Sequence, residues 1–144
     1  NSSKLYRKLV DEKKMSLQVA AFNMSMEDYG LYVILSLPLG DTTLSAIRDE
    51  IDEEVEKIQS DLISEKDYKK LLNKFESDFV DSNGSVEGIA NSLAEYYTIY
   101  GDTDLINSEI DIYRSITREE IREVANKYLK PNQRLTLNYL PESN

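Results

Sequence analysis

The chain has 144 residues, of which 40% are hydrophobic and 31% are charged, a balance that is typical of globular proteins. Its formal net charge of −10 disfavours binding to nucleic acid and insertion beside anionic lipid, because both carry charge of the same sign as the protein. Histidine and cysteine are absent, which excludes the usual zinc ligands, disulfides and catalytic triads, and no apolar run is long enough to cross a membrane.

The first part of the chain predicts a short helix followed by a hairpin. A helix over residues 3–13, capped by Ser2 or Ser3, places Leu5 and Leu9 on one face. Alternation of apolar and polar residues then predicts a half-buried strand over 15–22. The inward-facing positions of this strand are Met15, Leu17, Val19 and Ala21.

A second strand is predicted over Leu31–Leu37, after a polar connection that runs from Asn23 to Gly30. It is apolar on both faces and is followed by Pro38 and Gly40, which end strands readily. The two strands therefore form an antiparallel hairpin with a long loop.

A helical stretch follows the hairpin. Its first helix carries an apolar stripe with steps of three and four residues: Leu44, Ile47, Ile51, Val55, Ile58 and Leu62. The opposite face is acidic, and pairs such as Glu53–Lys57 at i,i+4 spacing indicate an ordinary solvated face. Further helices are predicted from Ser64 to Phe79, over Val86–Tyr100 ending at Gly101, over Leu105–Tyr113, and from the Thr117–Glu120 capping box to Pro131.

A last strand is predicted over Leu135–Leu140, where apolar and polar residues alternate again. The order of elements indicates an α+β fold in which an antiparallel sheet layer is backed by several helices. Three strands are few for such a sheet, so we expect further strands upstream or from a partner. We accordingly expect residues 1–144 to be one partial or single repeat that begins inside a larger polypeptide.

Three local patterns suggest sites, and each has a simpler explanation. Asp81–Gly84 resembles a calcium loop but lacks the flanking ligands, so it predicts a turn between helices. Adjacent Asp11 and Glu12 point in different directions and make a poor catalytic pair. Five tyrosines favour core and interface packing, with a substrate groove as the alternative. These tyrosines are Tyr96, Tyr97, Tyr100, Tyr128 and Tyr139.

Taken together, the segments resemble the inverzincin family of zinc peptidases, which includes pitrilysin, insulysin and the mitochondrial processing peptidase. The resemblance lies in the order and spacing of several stretches along the whole chain. These stretches are Ser2–Leu9, Lys13–Val19, Tyr29–Tyr32, Ile63–Asp67, Lys70–Phe75, Tyr100–Asp102 and Ile116–Leu129.

The resemblance implies that the chain is the closing part of one peptidase-chamber repeat. The whole protein would be a zinc metalloendopeptidase, which hydrolyses peptides. The family's H-x-x-E-H metal motif cannot be formed here, so zinc is expected in a catalytic repeat elsewhere in the parent protein. Such a protein uses zinc-activated water with a glutamate as general base. The family also uses an arginine and a tyrosine from a zinc-free repeat, but those positions fall on Val10 and Leu17. We therefore assign no catalytic, cofactor-binding or metal residues to this chain and expect a zinc-free, C-terminal repeat.

The resemblance also implies partners and a location. Other repeats of the same chain, or a paired subunit, are the expected protein partners, and a peptide is the expected substrate. Family resemblance suggests the cell envelope or periplasm. Two alternatives remain: a catalytically silent structural or assembly protein of the same fold, and an unrelated acidic helical interaction module. A helical bundle without the hairpin would favour the second.

Overall fold

The computed structural model describes residues 3–140, and within them the fold is α+β, as predicted. Its only sheet in this range is the hairpin of β1 and β2. The first helix, α1, begins at Lys4–Tyr6 and continues as a π-helical segment, Arg7–Glu12. The remaining elements are β1 (Ser16–Ser25), β2 (Gly30–Pro38), α2 (Leu44–Ser60), α3 (Glu65–Ser82), α4 (Val86–Tyr100), α5 (Leu105–Ser115), α6 (Arg118–Tyr128) and a 3₁₀ turn, Pro131–Gln133.

The third predicted strand is wrong. Residues 134–140 form neither helix nor strand, and Leu135, Leu137 and Tyr139 are exposed. Alternation identifies a segment that is suited to a strand, but a strand forms only when its backbone N–H and C=O groups pair with a neighbour. The described residues supply no such neighbour. The predicted trailing end beyond Leu140 lies outside the described residues.

The hairpin is confirmed, with two differences in detail. The strands extend further than predicted and leave a short connection in which the Met26 N–H donates to the Tyr29 carbonyl oxygen at 2.9 Å. The prediction of the inward-facing residues of β1 is also wrong in part, at the start of the strand. Val19 is buried, but Leu17 is 61% exposed while Ser16 is buried and hydrogen-bonds the Ser36 hydroxyl at 2.8 Å.

The chain divides into two compact units. The first unit comprises the residues up to Phe22, Val33–Asp61 and the part from Arg122 onward. Its core consists of Leu9 from α1, Val19 from β1 and Ile47 from α2. Partly buried apolar side chains surround this core: Leu5, Val10, Met15 and Ile51.

Hydrogen bonds join α2 to the last turns of α6 within the first unit. The Gln59 side-chain amide donates to the carbonyl oxygens of Ala125 at 3.2 Å and Leu129 at 2.9 Å. In return, the Asn126 side-chain amide donates to the Gln59 carbonyl oxygen at 2.8 Å. The Leu129 and Gln59 carbonyl groups lie at the ends of the two helices, where intrahelical donors run out, whereas the Ala125 carbonyl oxygen also accepts from the Leu129 N–H at 2.9 Å.

The ammonium group of Lys8 is held by three glutamates of α2, also in the first unit. The distances from Lys8 Nζ are 2.9 Å to Glu50, 2.7 Å to Glu53 and 3.0 Å to Glu54. Lys57 pairs with Glu53 at 3.0 Å, which confirms the predicted i,i+4 contact. The acidic face of α2 is therefore only partly solvated, because it also binds α1.

The second unit comprises Asn23–Tyr32 and Leu62–Ile121, and its helices α3, α4 and α5 pack on one another. The rings of Phe75 on α3 and Tyr113 on α5 are stacked, with centroids 4.6 Å apart. The Arg114 guanidinium donates to Glu76 at 2.8 Å. The aromatic stack and the ion pair both fix α5 against α3.

The helix ends carry most of the predicted caps. Ser3 accepts from the Tyr6 N–H at 3.2 Å, whereas the alternative cap, Ser2, lies outside the described residues. In the capping box of α6, the Thr117 N–H donates to Glu120 at 2.7 Å and the Glu120 N–H donates to the Thr117 hydroxyl at 3.1 Å. Gly101 ends α4 with φ of 69°, a conformation that glycine adopts without steric cost.

Across residues 3–140, each helix is either too short or too polar to qualify as a candidate membrane span.

Lys14, the second residue after the first helix, leads to a stability prediction. Lys14 is exposed and adopts φ of 51°, a left-handed conformation that costs a non-glycine residue about 1–2 kcal/mol. We expect Lys14→Gly to raise the free energy of unfolding by about 0.5–1 kcal/mol in urea titrations. Lys14→Ala is the matched control, since it removes the same side chain but keeps a Cβ atom at the positive φ and should not raise the free energy of unfolding. Equal effects of the two substitutions would contradict this explanation.

The Lys8 contacts generate a prediction on pH dependence. Hydrogen bonds from Lys8 and Lys57 lower the pKa of Glu53 to about 2, and those from Lys13 and Lys8 lower the pKa of Glu50. A lowered folded-state pKa stabilises the protein above the unfolded value of about 4.5, and this stabilisation is lost as the pH falls toward 2.

We therefore expect Lys8→Met to lower the unfolding temperature by about 3–5 °C between pH 5 and 8. The difference from the unsubstituted chain should shrink as the pH is lowered from 4.5 to 2. Lys69→Met is the control, because Lys69 is exposed and approaches Glu65 only to 3.6 Å. A difference that is independent of pH would count against an ionic role for Lys8.

Candidate functional site

The two positions at which the sequence analysis expects the family's arginine and tyrosine carry aliphatic side chains. Val10 packs against the core of the first unit, and Leu17 is an exposed aliphatic side chain. The carboxyl groups of Asp11 and Glu12 are not organised as a pair. Asp11 is exposed, and Glu12 lies 3.6 Å from the Arg7 guanidinium.

Carboxylates are the main side-chain ligands available for a metal, because the chain has no histidine or cysteine. Within residues 3–140, no three of them are placed to share a metal ion. The densest group, Glu50, Glu53 and Glu54, surrounds the Lys8 ammonium, which already occupies the position of a cation. The predicted Asp81–Gly84 turn is confirmed, since α3 ends there and the Asn83 side-chain amide donates to the Phe79 carbonyl oxygen at 3.0 Å.

The strands of the first unit expose an apolar surface, which we call the strand surface. It consists of Leu17, Leu35 and Leu37, each of which is more than half exposed. Leu35 and Leu37 point to the same side of β2, because successive side chains of a strand alternate between faces. Clusters of exposed aliphatic side chains are typical of surfaces that contact other polypeptide.

Residues 134–140, here called the C-terminal segment, add to the exposed apolar side chains of the first unit. Leu135, Leu137 and Tyr139 alternate with Thr136 and Asn138. The three apolar residues are 81%, 66% and 88% exposed, respectively. The segment is suited to pair with a strand, yet it has no strand neighbour in the described part of the chain.

The end of the hairpin, in the second unit, is likewise apolar and exposed. The side chains concerned are Met24, Met26, Tyr29, Leu31 and Tyr32. Methionines and aromatic residues of this kind adapt well to irregular partner surfaces.

A cavity of about 540 Å³ lies in the second unit. It brings together Tyr96 and Tyr100 from the predicted tyrosine group. It does not include Tyr97, and Tyr128 and Tyr139 belong to the first unit. Sequence reasoning missed Phe75, Tyr113 and Glu109, which also line it. Glu109 and Tyr113 are four residues apart on α5. This spacing is the sequence signal that could have placed them on one helix face.

Glu109 is the central polar group of the cavity. It accepts hydrogen bonds from the Tyr113 hydroxyl at 3.0 Å and from the Tyr96 hydroxyl. Burial, together with the hydrogen bond to Glu109, raises the pKa of Tyr113 to about 12 and also raises the pKa of Tyr96. Both phenols therefore remain protonated donors at neutral pH, and the carboxylate is their acceptor.

Comparison with known proteins identifies zinc proteases as relatives. The chain is 27% identical over 139 residues to the zinc protease PqqE of Helicobacter pylori, and the match covers 94% of this chain and 30% of that protein. The chain thus spans about 30% of the length of this relative. No protein-family model matches the chain.

Solved structures share the fold. An inactive peptidase domain from a proposed zinc protease of Bordetella parapertussis superposes with a TM-score of 0.86 at 21% identity, covering 99% of this chain and 75% of that one. The periplasmic protease PqqL of Escherichia coli superposes with a TM-score of 0.72 at 14% identity, covering 87% of this chain and 14% of that one. The predicted resemblance to zinc peptidases and the predicted peptidase-chamber fold are confirmed.

The strand surface generates a prediction on the isolated chain. We expect the double substitution Leu35→Thr, Leu37→Thr to reduce the fluorescence of a bound hydrophobic dye while leaving the unfolding temperature nearly unchanged, because both side chains already face solvent. Val19→Thr is the control, since Val19 is 1% exposed and a buried hydroxyl should cost about 1–3 kcal/mol. A large loss of stability in the double variant would show that these leucines are buried.

Proposed function

We propose that this chain is a non-catalytic portion of a zinc metalloendopeptidase, in which it helps to enclose peptide substrates. The observation that carries the proposal is the match of nearly the whole chain to an inactive peptidase domain of a proposed zinc protease. The matched curated relative is also named a zinc protease, and it is more than three times as long as this chain.

The division of labour follows from the side chains. Zinc in the catalytic repeat of the parent would activate the attacking water and polarise the scissile carbonyl. This chain offers neither imidazole nor thiol for that metal, and its equivalents of the family's substrate-holding arginine and tyrosine are Val10 and Leu17. Its contribution is therefore the shape and lining of the chamber.

Contacts with other repeats of the parent protein are assigned to the strand surface and the C-terminal segment. Leaving Leu35, Leu37 and Leu135 in water is unfavourable by roughly 25 cal/mol for each Å² of apolar surface. Strands of a neighbouring repeat would cover these side chains and pair with the free backbone groups of residues 134–140. Other repeats of the same chain, rather than a separate subunit, are the occupants we favour, because the relatives are longer single chains.

Peptide contact is assigned to one edge of the hairpin, and the other edge is left for a strand of a neighbouring repeat. In a two-stranded sheet each strand has one unpaired edge, and an extended peptide adds to such an edge through main-chain hydrogen bonds. Because it uses main-chain groups, this mode of binding is tolerant of peptide sequence. The presence of the hairpin disfavours the alternative of an unrelated helical interaction module.

A periplasmic location is proposed with the function. It is supported by the structural similarity to PqqL, which is described as a periplasmic protease.

Reconstitution tests the proposal. The 144-residue chain should cleave no fluorogenic peptide with or without zinc, whereas chelator-sensitive cleavage should appear when it is combined with the remaining repeats of its parent protein. Cleavage by the chain alone in the presence of zinc would overturn the non-catalytic assignment. Combined activity that is unaffected by omitting this chain would support a purely structural role instead.

A paired substitution connects the activity to the strand surface. Leu35→Glu should reduce the reconstituted activity at least roughly tenfold, because a buried unpaired carboxylate opposes docking. Val124→Glu is the matched control, since Val124 is similarly exposed but lies on α6. Equal losses from the two variants would argue against the strand surface as the docking site.

A further inference from the structure

The cavity of the second unit has walls of a particular chemistry. Its lining includes the aromatic residues Phe75, Phe79, Tyr96, Tyr100 and Tyr113. Its charged lining residues are all acidic: Asp78, Glu95 and Glu109. Among the described residues, no lysine or arginine lines it.

The acidic side chains differ in how their charge is compensated. Asp78 pairs with Lys74 through an i,i+4 contact. Glu109 is satisfied only by phenol donors, which stabilise a carboxylate without neutralising it. No ion pair to Glu95 or Glu109 is found within residues 3–140. Two formal negative charges therefore face the cavity without a cation.

The aromatic rings remain accessible to a ligand. Phe75 is 42% exposed and Tyr100 is 57% exposed, although both line the cavity. The rings of Phe75 and Tyr113 stack nearly parallel, at 6°, so that each ring helps to hold the other in one orientation. Fully buried packing residues would not offer such faces to a partner.

From these observations we infer that the cavity binds an arginine side chain of the peptide substrate. A guanidinium group stacks on aromatic faces and forms two parallel hydrogen bonds to a carboxylate, which is the combination that Tyr100, Tyr113 and Glu109 present. A lysine ammonium lacks the planar, bidentate geometry and binds more weakly. The formal charge of −10 on the whole chain favours approach of a cationic peptide.

The inference rests on the proposed function only in naming a substrate peptide as the source of the arginine. Tyr96 and Tyr113 position the carboxylate, since each donates to one oxygen of Glu109. The raised pKa values of both phenols keep this arrangement intact across the neutral range.

Fluorescence anisotropy on the full 144-residue chain tests the inference. The probe is a fluorescein-labelled peptide, Gly-Ser-Arg-Ser-Gly, and the comparison peptide carries glutamine in place of arginine. We expect the arginine peptide to bind at least tenfold more tightly, and we expect this difference to decrease as salt is added. Equal affinities of the two peptides would overturn the inference.

Substitutions locate the binding site. Glu109→Gln keeps the shape of the side chain but removes its charge, and it should weaken binding of the arginine peptide roughly tenfold. Glu119→Gln removes the same charge from an exposed position outside the cavity and should change binding less than twofold. Glu95→Gln is a second test, because Glu95 is exposed and its substitution leaves the phenol contacts intact. Unchanged binding in both cavity variants would reject this site.

The source of the arginine is tested in the reconstituted protein. If substrate occupies the cavity, the probe should bind the reconstituted protein as well as the isolated chain. Loss of binding on reconstitution would show that another segment of the parent fills the cavity, and would overturn the substrate assignment. These measurements need neither zinc nor cleavage, so their failure is distinguishable from failure of the proposed function.

Discussion

A hairpin of two strands cannot bury its own apolar side chains, and this constraint governs the rest of the structure. Leu17 and Val19 are two residues apart on β1, yet Val19 is 1% exposed and Leu17 is 61% exposed. Helices α1 and α2 cover Val19, as shown by its cluster with Leu9 and Ile47. No element of the described chain covers Leu17. We propose that other repeats of the parent protein supply this missing cover.

Polar contacts compensate in part for the small core. Among residues 3–140, the apolar cluster of the first unit has only three buried residues, but charged and amide side chains also join its helices. Lys8 bridges α1 to three glutamates of α2, and Gln59 bridges α2 to the end of α6. Such contacts are individually modest, and they orient helices more than they stabilise them.

The sequence predicts well those features that depend on neighbours along the chain. Helix stripes, the capping box of Thr117 and Glu120, and the terminal Gly101 are local patterns with local causes. The strand over Leu135–Leu140 was mispredicted because its pairing partner is not local. Likewise, the alternation that placed Leu17 inside describes a strand with one covered face, whereas here Val19 is covered, Leu17 is not, and Ser16 on the opposite face is buried. Lys8 was missed as the partner of the α2 glutamates because it lies more than forty residues away.

In the cavity, Tyr96 and Tyr100 were found as a cluster on one helix, but Phe75 and Glu109 join them only through packing of three helices.

Amide hydrogen exchange, compared between the isolated chain and the intact parent protein, tests the central claim most directly. If the chain is one portion of a larger peptidase sheet, amides of β1, β2 and residues 134–140 should exchange more slowly in the intact protein, because neighbouring strands then bond and cover them. Helix α3 should change little. Equally fast exchange of the strand amides in both samples would contradict the claim that other repeats complete this sheet.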